Sequence, residues 1–392
     1  MLHRQGHSVT LATVWENNTE RQWLVNLEAE GIMVIARHLT LAQMGLNLVF
    51  AFLSGKPLQS TYSWKPGLAN QIARLLISNH PFYDIIQIEH LRGAAYGLRL
   101  KAKVDGVKPR TPIVWDSVDN ITSLFEQAAQ RSASLFGRWA TWFELARTRG
   151  YERYLAEQFD RILVTSPNDR AAFTELCPEE TLRSPIEVLT NGVDLDYFAP
   201  GEEPRSPDTI VFSGKLSYHA NITAAVYLVE KVMPWVWASQ PEVKVQLVGK
   251  DPTTALLSLA QSDGRIQVTG TVPDLREYLR RACMSAAPIT YGAGVQNKVL
   301  EAMACATPVV ATSKAVSALR TVPGQDLLVA DEPQDLAEAI LYLLGNEDRR
   351  NNIGRCGRNY VQQNHDWNVI AKQLVSIYED IFQGNHQHYQ AG

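Results

Sequence analysis

Short apolar runs alternate with helical stretches along almost the whole chain, and this alternation constrains the fold more than any single motif. Such a pattern buries its apolar surface by forming a parallel sheet with helices on both faces. In the first half the expected strands are Ser8–Val14, Met33–Arg37, Ile85–Glu89, Pro112–Asp116 and Arg161–Thr165. In the second half they are Thr209–Ser213, Lys244–Val248, Ile266–Thr269, Ser285–Ile289, Val309–Thr312 and Leu327–Val329. A chain of 392 residues has material for two such domains, each with its own core. The polar, Pro-rich stretch Ala199–Pro207 has linker composition. The expected domains are therefore residues 1–198 and 199–367. Residues 368–392 form an amphipathic helix that closes the second domain or crosses back to the first. The expected class is α/β: two Rossmann-like, doubly wound domains with a cleft between them at the carboxyl ends of the strands.

The start departs from this plan. Met1–Gly6 followed by His7–Thr13 reads as the tail of a helix turning into a strand. An α/β domain ordinarily opens on a strand, so the first strand of the N-terminal domain and most of a helix are expected to be missing.

Residues 292–304 carry the most chemistry. Gly292 and Gly294 stand in a loop that runs straight into a helix continuing to Cys305. Loop amides and a helix N-terminus together attract an anion. Gly294, Val295 and Gln296 lead into Asn297 and Lys298 in the first turn, with Glu301 one turn later on the same face. A carboxylate there repels phosphate but accepts hydrogen bonds from sugar hydroxyls, so the set suits a ribose diphosphate. An ordinary buried helix with a glycine at its entry is the plainer alternative. After Thr209–Ser213 come Gly214 and Lys215, where a glycine lets a ligand approach and a second lysine can meet a developing diphosphate charge. A solvated loop lysine is the alternative for Lys215.

Asp194 and Asp196 form an Asp-x-Asp, an arrangement that holds a divalent ion in some transferases. The Asn-Gly turn before it and the polar stretch after it favour a hinge turn, so no metal is expected. In the first half, Glu89, His90, Asp116 and Asp119 end strands and are candidates for the acceptor side, with His90, Asp116 and Asp119 as the catalytic candidates. Each could instead cap a following helix, Asp119 most readily.

A net charge of −4 and a pI near 6.2 argue against general nucleic-acid binding. The four cysteines are scattered, without metal or disulfide spacing, and no secretory signal opens the chain, which points to a reducing cytoplasm. The most apolar window, Leu39–Leu53, is interrupted by Gln43 and Asn47 and is shorter than the ~20 residues of a spanning helix. It reads as a core or interfacial helix. The segment 131–153 carries Arg131, Arg138, Arg147, Arg149 and Arg153 among Phe136, Trp139, Trp142 and Phe143. It can lie on an anionic membrane surface, or pack its aromatics inward and solvate its arginines. No Walker-type loop is present, and the Gly292/Gly294 loop lacks the rest of a dinucleotide fingerprint.

Taken together, Asn191–Asp194 with Phe198, Gly214-Lys215, the glycine loop with Leu300–Ala304, and Thr307–Val310 resemble family-4 retaining glycosyltransferases of the GT-B fold. Gly294–Glu301, Tyr218-x-x-Asn221 and Glu89–Arg92 resemble more closely a bacterial subgroup of sugar transferases tied to exopolysaccharide assembly. The resemblance implies a UDP- or GDP-linked sugar donor, no cofactor or metal, and a glycan or lipid-linked acceptor. It also implies retention of configuration, and a place in the cytoplasm at the inner face of the cell membrane. In the family the later Glu of a Glu-x7-Glu motif holds the ribose, which here is Glu301. The earlier position is Ala293, a departure that passes the sugar contact to Gln296 or Asn297. The family's first-domain His falls near Trp115–Asp116, a second departure. An active transferase and a donor-binding or scaffolding relative without activity are both compatible with these residues.

Overall fold

The computed structural model describes residues 1–78, 83–104, 110–131, 135–177, 184–291 and 294–390. The chain forms two compact units, one of Met1–Leu189 with Ala371–Gly392 and one of Thr190–Ile370.

The first unit contains β1 (Thr10–Trp15), β2 (Met33–His38), β3 (Ile86–Glu89), β4 (Ile113–Val118), β5 (Arg161–Val164) and β6 (Ile186–Val188). All pairings are parallel, but the strands make two sheets, β1-β2 and β3-β4-β5-β6. Side chains alternate along β4. Ile113 and Trp115 enter a cluster with Phe159 and Phe173, whose rings lie 6.0 and 5.7 Å from the indole. Val114 points the other way and, with Leu163, packs on Ile377 and Ile381 of the helix Trp367–Gln390.

The second unit contains β7 (Thr209–Ser213), β8 (Lys244–Val248), β9 (Ile266–Val268), β10 (Met284–Ala287), β11 (Val309–Ala311) and β12 (Leu328–Val329). They form one parallel sheet in the order β12-β11-β10-β7-β8-β9. Every residue of β7 and β10 is buried, and both lack charged residues, with only Thr209, Ser213 and Ser285 among apolar ones. The chain winds outward from β7 through β8 to β9, then from β10 through β11 to β12. The winding reverses between β7 and β10, and in open α/β sheets ligands bind at the carboxyl ends of such a pair.

The stretch expected to link the domains belongs instead to the second unit, and the division falls at Leu189/Thr190. Arginines hold it down. Arg358 donates to the carbonyls of Phe198 and Ala304, both at 2.7 Å, and Arg280 to that of Ala199 at 2.6 Å. Arg205 donates to the carbonyls of Leu279, Arg280, Ala282 and Cys305. Upstream, Val193 bonds to the His365 carbonyl at 2.7 Å, and His365 Nδ1 lies 2.8 Å from the Asn191 carbonyl. Composition alone does not reveal such anchoring, because each arginine and its partners are distant from one another in sequence.

Candidate functional site

In the second unit the site is built where β7 ends. Gly214 has φ +148 and Gly249, after β8, has φ +155, so both lie in backbone regions that favour glycine. A Cβ on Gly249 would sit 1.7 Å from the Gly214 carbonyl oxygen, and one on Gly214 would sit 2.7 Å from Asn221 Nδ2. The two loops meet backbone to backbone. Asn221 then joins this floor to the glycine-loop helix, Asn297–Ala304. Its Nδ2 donates to the Lys215 carbonyl at 2.9 Å and its Oδ1 accepts from Lys298 Nζ.

Lys298 is only 9% exposed, and its ammonium lies 4.8 Å from the centre of the Phe212 ring. Burial pushes its pKa down to about 8, against the opposing pull of Glu301. Burial also raises the Glu301 carboxyl, and Lys298 draws it back. The two are thus coupled on one helical face, as their spacing predicts. Gln296 is the N-cap residue and makes no side-chain cap bond, which leaves the first-turn amides without a side-chain partner at the cap. Gly294, at φ 77, and Val295 precede it, while Gly292 and Ala293 lie outside the described residues. Asn297 Oδ1 is 3.5 Å from Asn191 Nδ2. Lys215 is exposed, so its backbone is built into the floor while its side chain lies outside. Two further side chains had no signal in the sequence: His219 stacks on Tyr291 with ring centres 5.3 Å apart, and its Nδ1 is 2.6 Å from the tyrosine hydroxyl.

Asp194 Oδ1 accepts from the amides of Asp196 and Tyr197 at 3.1 and 2.9 Å, a local turn in which the first carboxylate serves its own backbone.

In the first unit, Asp116, Asp119 and His90 gather at the carboxyl ends of β3 and β4. Asp116 Oδ2 accepts from Gln87 Nε2 at 3.2 Å and Oδ1 from the Val118 amide at 3.1 Å. Val118 has φ 66 at a break in the β4–β5 register, an uncommon conformation for a β-branched residue. Burial, and then Glu89 nearby, push the Asp116 carboxyl up to about 7. The Asp119 carboxyl is pushed up to about 6 by burial and by Asp169. The helix Ile121–Arg131 is capped by Asn120, whose Oδ1 takes the Ser123 amide at 2.7 Å, so the capping alternative for Asp119 does not hold. Glu152, fully buried, accepts from the amides of Ile121 and Thr122 at the same helix end. His90 has φ 61, and burial holds its imidazole below its ordinary pKa, hence neutral. The sequence carried no sign of Gln87 or of Tyr378, whose hydroxyl donates to Gln87 Oε1.

The helix Leu41–Leu53 leaves Leu41, Leu46, Val49, Phe50, Phe52 and Leu53 exposed, so it is not a core helix. In the helix Leu135–Ala156, Trp142 is 68% exposed and is not packed inward. The side chains of Arg131, Phe136, Arg138 and Trp139 lie outside the described residues. No helix among the described residues is long and apolar enough to cross a membrane.

Residues 207–346 match the family described as "Glycosyl transferases group 1". The chain is 30% identical over 217 residues to a phosphatidyl-myo-inositol mannosyltransferase of Mycobacterium tuberculosis, covering 52% of this chain and 56% of the relative. The chain thus spans little more than half the length of that relative. It is 27% identical over 335 residues to a D-inositol 3-phosphate glycosyltransferase of Kribbella flavida, covering 76% of this chain and 71% of the relative. Among solved structures it is similar to HepE of Anabaena in complex with UDP and glucose, with a TM-score of 0.62 at 16% identity over 91% of this chain and 88% of the other. Two Rossmann-like α/β units with parallel sheets, as in GT-B glycosyltransferases, are the fold of this chain.

Proposed function

We propose that this chain is a retaining glycosyltransferase that takes a UDP- or GDP-linked sugar and passes the sugar to a lipid-linked or glycan acceptor. The observation that carries the reading is the buried Lys298, held by Asn221 and Phe212 against the backbone floor at Gly214. A lysine kept dry at a helix N-terminus without a side-chain cap is suited to a diphosphate, whose charge grows as it leaves. Glu301, on the same helical face, takes the ribose hydroxyls, while Gln296 or Asn297 contacts the sugar. The match to group 1 glycosyl transferases over residues 207–346 and the names of the relatives support the same class.

In the reaction the bond from the anomeric carbon to the diphosphate oxygen breaks and a bond to the acceptor oxygen forms on the same face. The acceptor's proton passes to the departing phosphate oxygen, so no protein nucleophile is needed. Lys298 carries the charge role that a divalent ion would otherwise take, and the Asp194 turn is already closed on its own amides, so transfer proceeds without metal. Asp116, Asp119 and neutral His90 orient the acceptor hydroxyl.

The exposed apolar face of Leu41–Leu53, with Trp142, favours a lipid-linked acceptor at the inner face of the membrane. Exopolysaccharide or cell-surface glycolipid synthesis is the setting that such an acceptor suits. Titration calorimetry against UDP-glucose and GDP-mannose, followed by NMR of the product's anomeric proton, tests the reading. Binding of neither donor removes the donor site. Binding without transfer to any lipid or glycan acceptor turns the chain into a donor-binding relative, and an inverted product removes retention.

A further inference from the structure

Gln87, Val114 and Asp116 share one face of the sheet β3-β4-β5-β6. Gln87 pairs with Val114 and Glu89 with Asp116 in the parallel register, and side chains two apart on a strand point the same way. The helix Trp367–Gln390 packs on this face with Leu374, Ile377, Tyr378 and Ile381, an i, i+3, i+4, i+7 stripe. The three aliphatic members lie beside Val114 and Leu163. Tyr378 is the one that carries a polar end to the sheet, and its hydroxyl donates to Gln87 Oε1.

The other end of the same amide, Gln87 Nε2, donates to Asp116 Oδ2 at 3.2 Å, while the Val118 amide donates to Oδ1 at 3.1 Å. A glutamine amide keeps nearly the same outline when its oxygen and nitrogen are exchanged. Exchange here would set Oε1 against the Asp116 carboxylate and take from the Tyr378 hydroxyl the carbonyl that receives its proton. Water is a poor substitute, for burial is the largest influence on the Tyr378 phenol and raises it, with Asp116 adding to the effect. Gln87 is itself exposed, so its two hydrogen bonds, and not packing, decide which way the amide faces.

We propose that Tyr378 is a positioning residue of the acceptor side: its hydroxyl locks the Gln87 amide, and the locked amide holds Asp116 ready to accept a hydrogen bond from the acceptor hydroxyl. The proposal rests on the reading of Asp116 as an acceptor residue. A carboxylate has about four lone-pair sites, of which Gln87 and Val118 occupy one on each oxygen, so the others remain for an incoming hydroxyl. A protonated Asp116 would favour the exchanged amide, with Oε1 taking its proton, and Tyr378 resists that exchange. The lock therefore favours the ionised carboxyl against burial, Glu89 and Asp119, which together push it up to about 7. Among the described residues the titratable groups acting on Asp116 are Glu89 on β3, Asp119 beyond β4 and Tyr378 on the helix, and its register partner on β5 is the apolar Leu163.

Tyr378→Phe removes only the hydroxyl and keeps the ring in its apolar seat. The Asp116 carboxyl is titrated by carbon-13 NMR without substrate, its signal identified by its loss in Asp116→Asn. The expected result is a midpoint higher by about 0.5–1 pH in Tyr378→Phe, because the freed amide turns its oxygen to the protonated carboxyl. Gln87→Leu, at an exposed position, should raise the midpoint similarly, and the double variant no further than either single one. In a transfer assay kcat of Tyr378→Phe should fall roughly 3–10-fold at neutral pH and recover as pH rises, with the donor KM within about twofold. An unchanged midpoint overturns the proposal, as do additive shifts in the double variant. A raised midpoint with kcat unchanged also overturns it, since Asp116 then needs no positioning. A raised midpoint in a protein that transfers no sugar upholds the amide lock and removes the function on which it rests.

Discussion

The two units use one layout and opposite chemistry. In the second unit a continuous sheet brings a lysine to the strand ends; in the first a divided sheet brings two aspartates there. Burial drives both toward the neutral state, Lys298 down to about 8 and Asp116 up to about 7. What differs is the company. Lys298 has Asn221, Phe212 and Glu301. Asp116 has Gln87 and a backbone amide, with Glu89 and Asp119 opposing its ionisation. Under the proposed function, the lysine site would be completed by an anion and the aspartate site would hold a hydroxyl without demanding a full charge.

The sharpest way to separate the sites is kinetic. Lys298→Met should lower turnover by roughly 10²–10³-fold, as expected when one preorganised donor to a developing charge is removed. Asp116→Asn should lower turnover while leaving the donor Kd within about twofold, because its unit does not carry the donor residues. A large rise in donor Kd in Asp116→Asn would erase the distinction.

Next in size is a pH effect on stability confined to the first unit. The Asp116 carboxyl rises from 3.8 to about 7 on folding, so its contribution is fully present below pH ~4 and is lost as pH rises through about 7. Wild type should weaken relative to Asp116→Asn across that window by a few kcal/mol, with about 4 kcal/mol as the ceiling. Urea midpoints that run parallel from pH 4 to 8 in the two proteins would disprove it.

Smaller again is the donor contact of Glu301. Glu301→Ala should weaken nucleotide-sugar binding by ~1.5–3 kcal/mol, the worth of a hydrogen bond to a charged group. Calorimetry on folded variant protein checks this, and unchanged affinity would return Glu301 to a packing role. Donor affinity should also fall as pH rises past about 8, where Lys298 loses its proton, and Lys298→Arg should flatten that slope. The smallest effect expected is that of Trp142→Ala, within about 0.5 kcal/mol for folding, with a measurable loss of binding to anionic vesicles. Vesicle binding equal to wild type would remove the membrane role of that face.

Strands β7 and β8, and the loop-to-helix entry at Gly294–Lys298, were legible because their signals are local: short runs rich in Val, Ile, Leu and Phe, then glycine before a helix. The pairing of Lys298 with Glu301 followed from helical spacing alone. Asn221 as the link between loops, the Gln87–Tyr378 support of Asp116 and the arginines that hold residues 195–207 all join positions far apart in sequence. No periodicity encodes such contacts.

The meeting of Gly214 and Gly249 bears on how this protein can change. The floor of the lysine site is made of peptide backbone, and the space beside it is too small for a methyl group. A floor without side chains cannot be tuned one substitution at a time, for Gly249 would have to change together with the loop that carries Gly214, and Gly214 together with Asn221. If the proposed donor site is right, any shift in which sugar or base is accepted would be written on the walls, at His219, Tyr291 and residues 294–297. Anyone testing the proposed donor site by redesign should randomise those positions first.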